Sequence, residues 1–231
     1  MNILIINGSP KGNNSNSYKL TKAFIKGLNS KCDNQIKQID VYSSNIKPCL
    51  GCYSCWEKSP GKCVIKDDMK QNIDNILWAD TIIYSFPLYY FSIPGALKNF
   101  IDRQLPMNCP QMSKDSELGG HPSRYDVSSK RYVVISTCGF YTAKGNYESV
   151  LKMFDRILSD KNYAKILCGQ GELFRIKELQ LITNKYLKNV EKAGAEFAIG
   201  SISEKTQNKL DKDLFPRKVF EKMADASWKR K

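Results

Sequence analysis

Along the chain, short runs rich in Ile and Val alternate with longer stretches in which apolar positions return every three or four residues. The short runs fall at 3–7, 35–41, 81–85, 131–137 and 163–168 and are bounded by Gly, Pro, Ser or Asn, which predicts strands. The first, third and fourth are almost wholly apolar, as parallel strands covered on both faces must be. Five stripes predict the helices between and after them: Leu20, Phe24 and Leu28; Met69, Ile73, Ile76 and Leu77; Leu97, Phe100, Ile101 and Leu105; Tyr147, Val150, Leu151, Phe154 and Leu158; Leu179, Ile182, Tyr186 and Val190. Asp67 and Asp68 precede the second stripe as acids suited to a helix N-terminus, and Pro94 opens the third. Gly194 is expected to stop the fifth helix. Each stripe reads as core packing, not as a site.

This alternation, with right-handed crossovers, predicts an α/β chain with a doubly wound, five-stranded parallel sheet in the order 2-1-3-4-5 and helices on both faces. Its cleft is expected at the carboxyl ends of strands one and three. Residues 1–198 are expected to form the domain. Residues 199–231 are expected to be a C-terminal extension packing on that domain or on a partner subunit, ending in a helix through Val219, Phe220 and Met223. A polar insertion at 106–130 precedes the fourth strand; loops of that length often act as lids or interfaces.

Three loops at one edge of the sheet carry the candidate chemistry. The first, residues 7–17, lacks the spacing of a dinucleotide turn and of a triphosphate-binding loop. It offers hydroxyls, amides and backbone N–H groups at a helix N-terminus, which suits one phosphate dianion; an ordinary Asn/Ser-rich turn with a capping Ser is the plainer alternative. The second, residues 85–96, gathers aromatics, prolines and small polar residues. Aromatics on a loop need another apolar surface to cover, such as a flat ring or the neighbouring helix. The third, residues 136–141, sets Gly139 among hydroxyl and N–H donors.

Composition changes the picture in two places. The net charge of +13 is spread along the chain as a solvated Lys-rich surface, with Trp228-Lys229-Arg230-Lys231 as a basic tail, so no nucleic-acid partner is expected. It also speaks against a small acidic carrier that docks on basic partners, and it suits steering of anionic cofactors. No apolar run is long enough for a bilayer span, and the opening Met1–Asn7 stretch is too short and uncharged for a signal peptide. A cytoplasmic protein without membrane contact is therefore expected. In that reducing compartment, eight cysteines point to metal, redox or core use before disulfides.

Four of those cysteines, Cys49, Cys52, Cys55 and Cys63, follow the spacing C-x2-C-x2-C-x7-C. Thiolates so spaced can wrap a cubane cluster. A four-thiolate zinc site would normally show two separated CxxC pairs, and a small-residue loop without metal is the third alternative. His121 is the single histidine and sits in the insertion as a loop residue, and nothing suggests a Ser-His-Asp triad. No side chain is assigned as a catalytic acid or base.

The stretches NILIINGSPKGNNSNS, CLGCYSCWEKSPGKCVIKDDM, SFPLYYFSIPGALKNFIDR and ISTCGF resemble the NADPH-dependent FMN reductase group of flavodoxin-like proteins over about residues 1–200. The resemblance implies a flavodoxin-like fold and an FMN-dependent oxidoreductase. Such an enzyme takes hydride from NAD(P)H and passes electrons to a quinone, flavin, nitro or azo compound, or protein acceptor. It implies FMN phosphate held by Ser9, Lys11, Ser15, Asn16 and Ser17. Pro87, Leu88, Tyr89, Tyr90, Phe91 and Ser92 would border the ribityl chain and ring, with Thr137, Cys138 and Gly139 beyond it. It further implies a homodimer or homotetramer. The cysteine spacing is similar to that of iron–sulfur flavoproteins within the same fold, in which Cys49, Cys52, Cys55 and Cys63 would hold a [4Fe–4S] cluster.

Overall fold

In the computed structural model, which describes residues 1–114, 119–158 and 163–228, five parallel strands form one sheet. They are β1 (Asn2–Asn7), β2 (Gln35–Asp40), β3 (Thr81–Pro87), β4 (Arg131–Thr137) and β5 (Ala164–Cys168), in the order β2-β1-β3-β4-β5. The expected order is the observed one. In register, Ile3 pairs with Thr81, Thr81 with Arg131 and Val133 with Ala164. The central strands are buried on both faces, which accounts for their continuous apolar runs.

One face is covered by α1 (Asn16–Asn29), α6 (Gln180–Ile199) and α7 (Glu204–Leu210), whose Phe24, Leu28, Val190, Phe197 and Leu210 pack on Ile3, Ile5 and Ile83. The other face carries α3 (Met69–Trp78), α4 (Gly95–Asp102) and α5 (Glu148–Ile157), whose Ile73, Ile76, Phe100 and Phe154 pack on Leu4, Ile6 and Tyr84. A short α2 (Ser54–Glu57) lies in the cysteine loop, and α8 (Arg217–Trp228) ends the described chain. Among the described residues, no helix is long and apolar enough to cross a membrane.

Two features of α6 differ from expectation. Ile182 is 36% exposed, and the inward stripe runs through Thr183, Tyr186 and Val190 instead. The helix also continues past Gly194 to Ile199. Gly194 sits where α6 crosses α1: a Cβ there would lie 2.0 Å from the Phe24 carbonyl oxygen, and one on Gly27 would lie 1.8 Å from that of Glu191. These glycines let two helix backbones touch. At Gly194, close approach outweighs helix propensity.

Leu210 joins the apolar layer of α1 and α6, Phe220 is also buried, and Tyr186 donates its hydroxyl to the Leu210 carbonyl. Gln170, fully buried after β5, donates to the Phe215 carbonyl and accepts the Phe215 N–H. The helix expected through Val219, Phe220 and Met223 is α8. Its basic tail, residues 229–231, and residues 115–118 of the insertion lie outside the described residues.

Candidate functional site

The loops after β1, β3 and β4 meet at one edge of the sheet. The Gly8 N–H donates to the Ser85 carbonyl at 2.8 Å, joining the first loop to β3. The Leu88 N–H donates to the Thr137 carbonyl at 2.9 Å, joining the second to the third. The rings of Phe91 and Phe140 stack at 5.2 Å with an interplanar angle of 16°, closing the junction.

In the first loop Ser9, Ser15 and Ser17 are all buried, and Lys11 is exposed at the tip. Ser15 caps α1, its Oγ accepting the Tyr18 N–H at 3.1 Å, with Ser17 Oγ 3.3 Å away. The first-turn amides of Asn16 and Ser17 have no acceptor within the helix. The buried Oδ1 of Asn16 has no hydrogen-bond partner among the described residues. An unmatched buried polar atom beside unfilled N–H donors and the positive end of a helix fits a phosphate-bearing ligand with further hydroxyls.

The second loop is a tight turn: the Tyr89 N–H donates to the Ser92 carbonyl and the Ser92 N–H donates back. Its central residues, Tyr90 (φ 46°) and Phe91 (φ 63°), both lie in the left-handed region. Two-residue turns of this hand normally use Asn and Gly, and bulky residues there store about 1–3 kcal/mol of strain each. The strain holds Tyr90 97% exposed and Phe91 half exposed at the mouth of the cleft. Ser149 at the start of α5 donates its hydroxyl to the Phe91 carbonyl and helps fix the turn. Leu88 is buried in the core beneath, Pro87 is half-buried and Ser92 exposed.

In the third loop the sequence-predicted residues divide. Gly139 is exposed, and open space surrounds its Cα on the side a Cβ would occupy. Thr137 and Cys138 are buried, and the Cys138 thiol faces the core at 3.8 Å from the Thr142 carbonyl, with its pKa pushed up by burial. The Cys138 backbone is engaged as well, the N–H donating to the Cys168 carbonyl and the carbonyl accepting the Gly171 N–H. Phe140, Ser149 and Gln170 belong to the site's frame but were not among the sequence-predicted residues. Phe140 could have been read from the same signal as Tyr90, an aromatic on a loop at a strand's carboxyl end.

The cysteine motif lies on the sheet face that carries α3, α4 and α5. Cys49, Cys52, Cys55 and Cys63 all line one pocket, whose far wall includes Asp102 and Arg103. Cys49 and Cys52 are exposed and Cys55 is buried. Hydrogen bonds from Ser54 lower the Cys52 pKa, while burial and then Cys63 raise that of Cys55. The pocket is narrow, about 20 Å³, or about one water. Among the described residues no three His, Cys, Asp or Glu side chains converge on a metal-ion position, so a single-ion site is not preformed. The insertion leans on this loop: His121 stacks on Trp56 at 4.7 Å, and Trp56 Nε1 donates to the Leu105 carbonyl. Both residues thus pack between the insertion and the cysteine loop. A larger cavity, about 630 Å³, lies at the opposite edge of the sheet, but its Lys130 and Arg131 already donate to backbone carbonyls.

A family model described as the flavodoxin-like fold matches residues 1–170. The chain belongs to that family. Curated relatives of more than one kind match the chain. An iron–sulfur flavoprotein of Archaeoglobus fulgidus is 33% identical over 99 residues, 43% of this chain and 43% of the relative. The chain thus spans about half the length, or less, of the first curated relatives it matches. An FMN-dependent NADH:quinone oxidoreductase of Bacillus anthracis is 28% identical over 214 residues, 84% of this chain and 94% of the relative. Among solved structures, a Bacillus anthracis FMN-dependent NADH-azoreductase in complex with FMN superposes with a TM-score of 0.62 at 22% identity, covering 85% of this chain and 99% of that one. That likeness shows the flavodoxin-like fold itself.

Proposed function

We propose that this protein is an FMN-dependent oxidoreductase that draws electrons from NAD(P)H and delivers them to a quinone, azo compound or similar acceptor. The observation that carries the reading is the junction of three loops, where buried hydroxyls, free helix-end amides and the unmatched Asn16 Oδ1 adjoin an aromatic mouth. Ser9, Lys11, Ser15, Asn16 and Ser17 hold the phosphate by short donors and the helix dipole. Pro87, Leu88, Tyr89, Tyr90, Phe91 and Ser92 border the ribityl chain and ring on one side, with Thr137, Cys138 and Gly139 on the other. When bound, FMN supplies the hydride and electron chemistry, which is why no acid–base side chain is required at the site. The chain's own part is to bind, orient and shield. Phe91 and Phe140 are the two rings that must yield for a planar molecule to enter between the second and third loops. The B. anthracis quinone reductase relative, matched over most of both chains, supports the same activity.

A second reading is supported by the convergence of Cys49, Cys52, Cys55 and Cys63 on one pocket and by the iron–sulfur flavoprotein relatives: an FMN protein that also carries a [4Fe–4S] cluster there. A homodimer or homotetramer belongs to either reading, with exposed Leu50, Tyr53 and Tyr90 covered by a second subunit. So do a division at residues 198/199 and a cytoplasmic setting, which suits eight free cysteines.

The test is an absorption spectrum of protein purified without oxygen, with iron and acid-labile sulfide assayed on the same sample, followed by addition of NADH or NADPH. Two flavin bands that bleach with the nicotinamide and return with a quinone support the reductase. Failure to take up added FMN ends both readings. A brown shoulder with about four irons per chain selects the second.

A further inference from the structure

The cysteine pocket has one wall that neither sulfur nor apolar chemistry explains. Arg103 follows α4, lines the pocket and is 1% exposed along its side chain. Its Nη1 donates to Asp67 Oδ2 at 2.6 Å and to the Lys47 carbonyl at 2.7 Å, and its Nη2 donates to Asp67 Oδ1 at 2.9 Å. Asp67 is itself fully buried, and its carboxylate also accepts the Lys47 and Met69 N–H groups. The guanidinium plane is therefore fixed from one side. These bonds use three of its five N–H groups, and the Nε–H has no hydrogen-bond partner among the described residues. Leaving a buried charged donor unmatched is costly, and such groups normally have a reason.

We infer that Arg103 is a positioning residue for an iron–sulfur cluster on Cys49, Cys52, Cys55 and Cys63, donating its Nε–H to anionic sulfur at the Cys63 corner of the pocket. The inference rests on the iron–sulfur reading above. Four thiolates and a cubane bring negative charge into a pocket with one fixed cation, and Cys63 and Arg103 both line that pocket. Asp67 already neutralises Arg103, so the arrangement contributes a rigid, aimed donor more than net charge. Hydrogen bonds to cluster sulfurs raise the reduction potential. Lysine cannot reproduce the arrangement, because a single ammonium cannot both replace the bidentate pair with Asp67 and reach the sulfur.

The test uses the full chain purified anaerobically, with Arg103→Lys and Arg103→Gln. It reads iron and sulfide per chain, melting temperature, FMN uptake and the cluster's midpoint potential. Both variants are expected to take up FMN and to titrate at more negative potential than wild type, Arg103→Gln also losing iron faster in air. In wild type grown on 15N-arginine, pulsed electron paramagnetic resonance of the reduced cluster is expected to show coupling to an arginine nitrogen; this reading needs no variant to fold. Unchanged potential in a folded variant, or absent coupling in wild type, overturns the role of Arg103 and leaves the cluster reading standing. Wild-type protein with FMN but no iron overturns the cluster and this inference together.

Discussion

On one face of the sheet α1 and α6 meet backbone to backbone at Gly27 and Gly194, while on the other α3 and α4 are joined through a buried ion pair, Asp67 to Arg103. The first face holds Phe24, Leu28, Val190 and Phe197 in a plain apolar contact, and its cross-helix charges, Lys26 and Glu191, lie outside it at the surface. The second face carries the cysteine pocket, the insertion that leans on it and the strained Tyr90–Phe91 turn. Both faces bury a full apolar layer, so burial alone does not require charge or strain on either. The difference is that the helix–helix seam of the first face is built for close contact, while the second face carries a buried ion pair and a strained turn.

The largest effect that separates the faces comes from their two ion pairs. Asp67→Asn leaves a buried guanidinium without its counter-charge and is expected to destabilise by about 3–5 kcal/mol. Lys26→Ala, which removes an exposed partner, is expected to cost no more than about 1 kcal/mol. Thermal melts resolve this, at about 2–4 °C per kcal/mol for a chain of this size. Equal losses would mean that the faces are held alike. The same pair sets an acid limit. Burial pushes the Asp67 pKa up, but hydrogen bonds from Arg103 and from the Lys47 and Met69 amides outweigh it and hold it below its ordinary value of 3.8. A carboxyl depressed in the fold contributes stability that is present above its unfolded pKa and is lost as pH falls through its folded pKa. Acid melts of wild type should therefore lose stability below that ordinary value, and Asp67→Asn should lose less over the same range.

Next comes the contact face. Gly194→Ala places a methyl against the Phe24 carbonyl and is expected to cost about 3 kcal/mol, near the top of the range for overpacking, despite the gain in helix propensity. Urea unfolding measures it. An unchanged midpoint would show that α1 and α6 can separate freely and that this face is no tighter than the other.

Much of this architecture was legible in the sequence because parallel strands and amphipathic helices leave periodic marks. The strand order, the three loops and the helix at Val219–Met223 all came from such marks. Gly194 did not read correctly, since a glycine in a helical stripe marks a stop unless a partner backbone presses on it, and that partner, Phe24, lies far away in the chain. Asp67 read as a helix-end acid, which it is through its bond to the Met69 N–H. Its pairing with Arg103 has no local signal, because the two residues meet only when α4 packs beside α3. The orientation of Cys138 has no local signal either. It sits in the third loop, just past the end of β4, with its thiol 3.8 Å from the Thr142 carbonyl.

The smallest expected effect concerns the strained turn. If Tyr90 and Phe91 hold left-handed backbone for the sake of the cleft, Phe91→Gly should relieve that strain and stabilise the apo protein by about 1 kcal/mol, offset in part by the entropy glycine loses on folding. The variant also removes the ring that stacks on Phe140, so FMN dissociation and the rate with a planar acceptor should change even though the fold is firmer. Phe140→Ala serves as the control. It removes the same stack from a residue that is not among those with positive φ, and it should alter the cleft without any gain in melting temperature. A Phe91→Gly protein less stable than wild type would mean that the phenyl ring's contacts outweigh the backbone strain. The turn would then be ordinary packing, and the contrast between the two faces would rest on the ion pair and the cysteines alone.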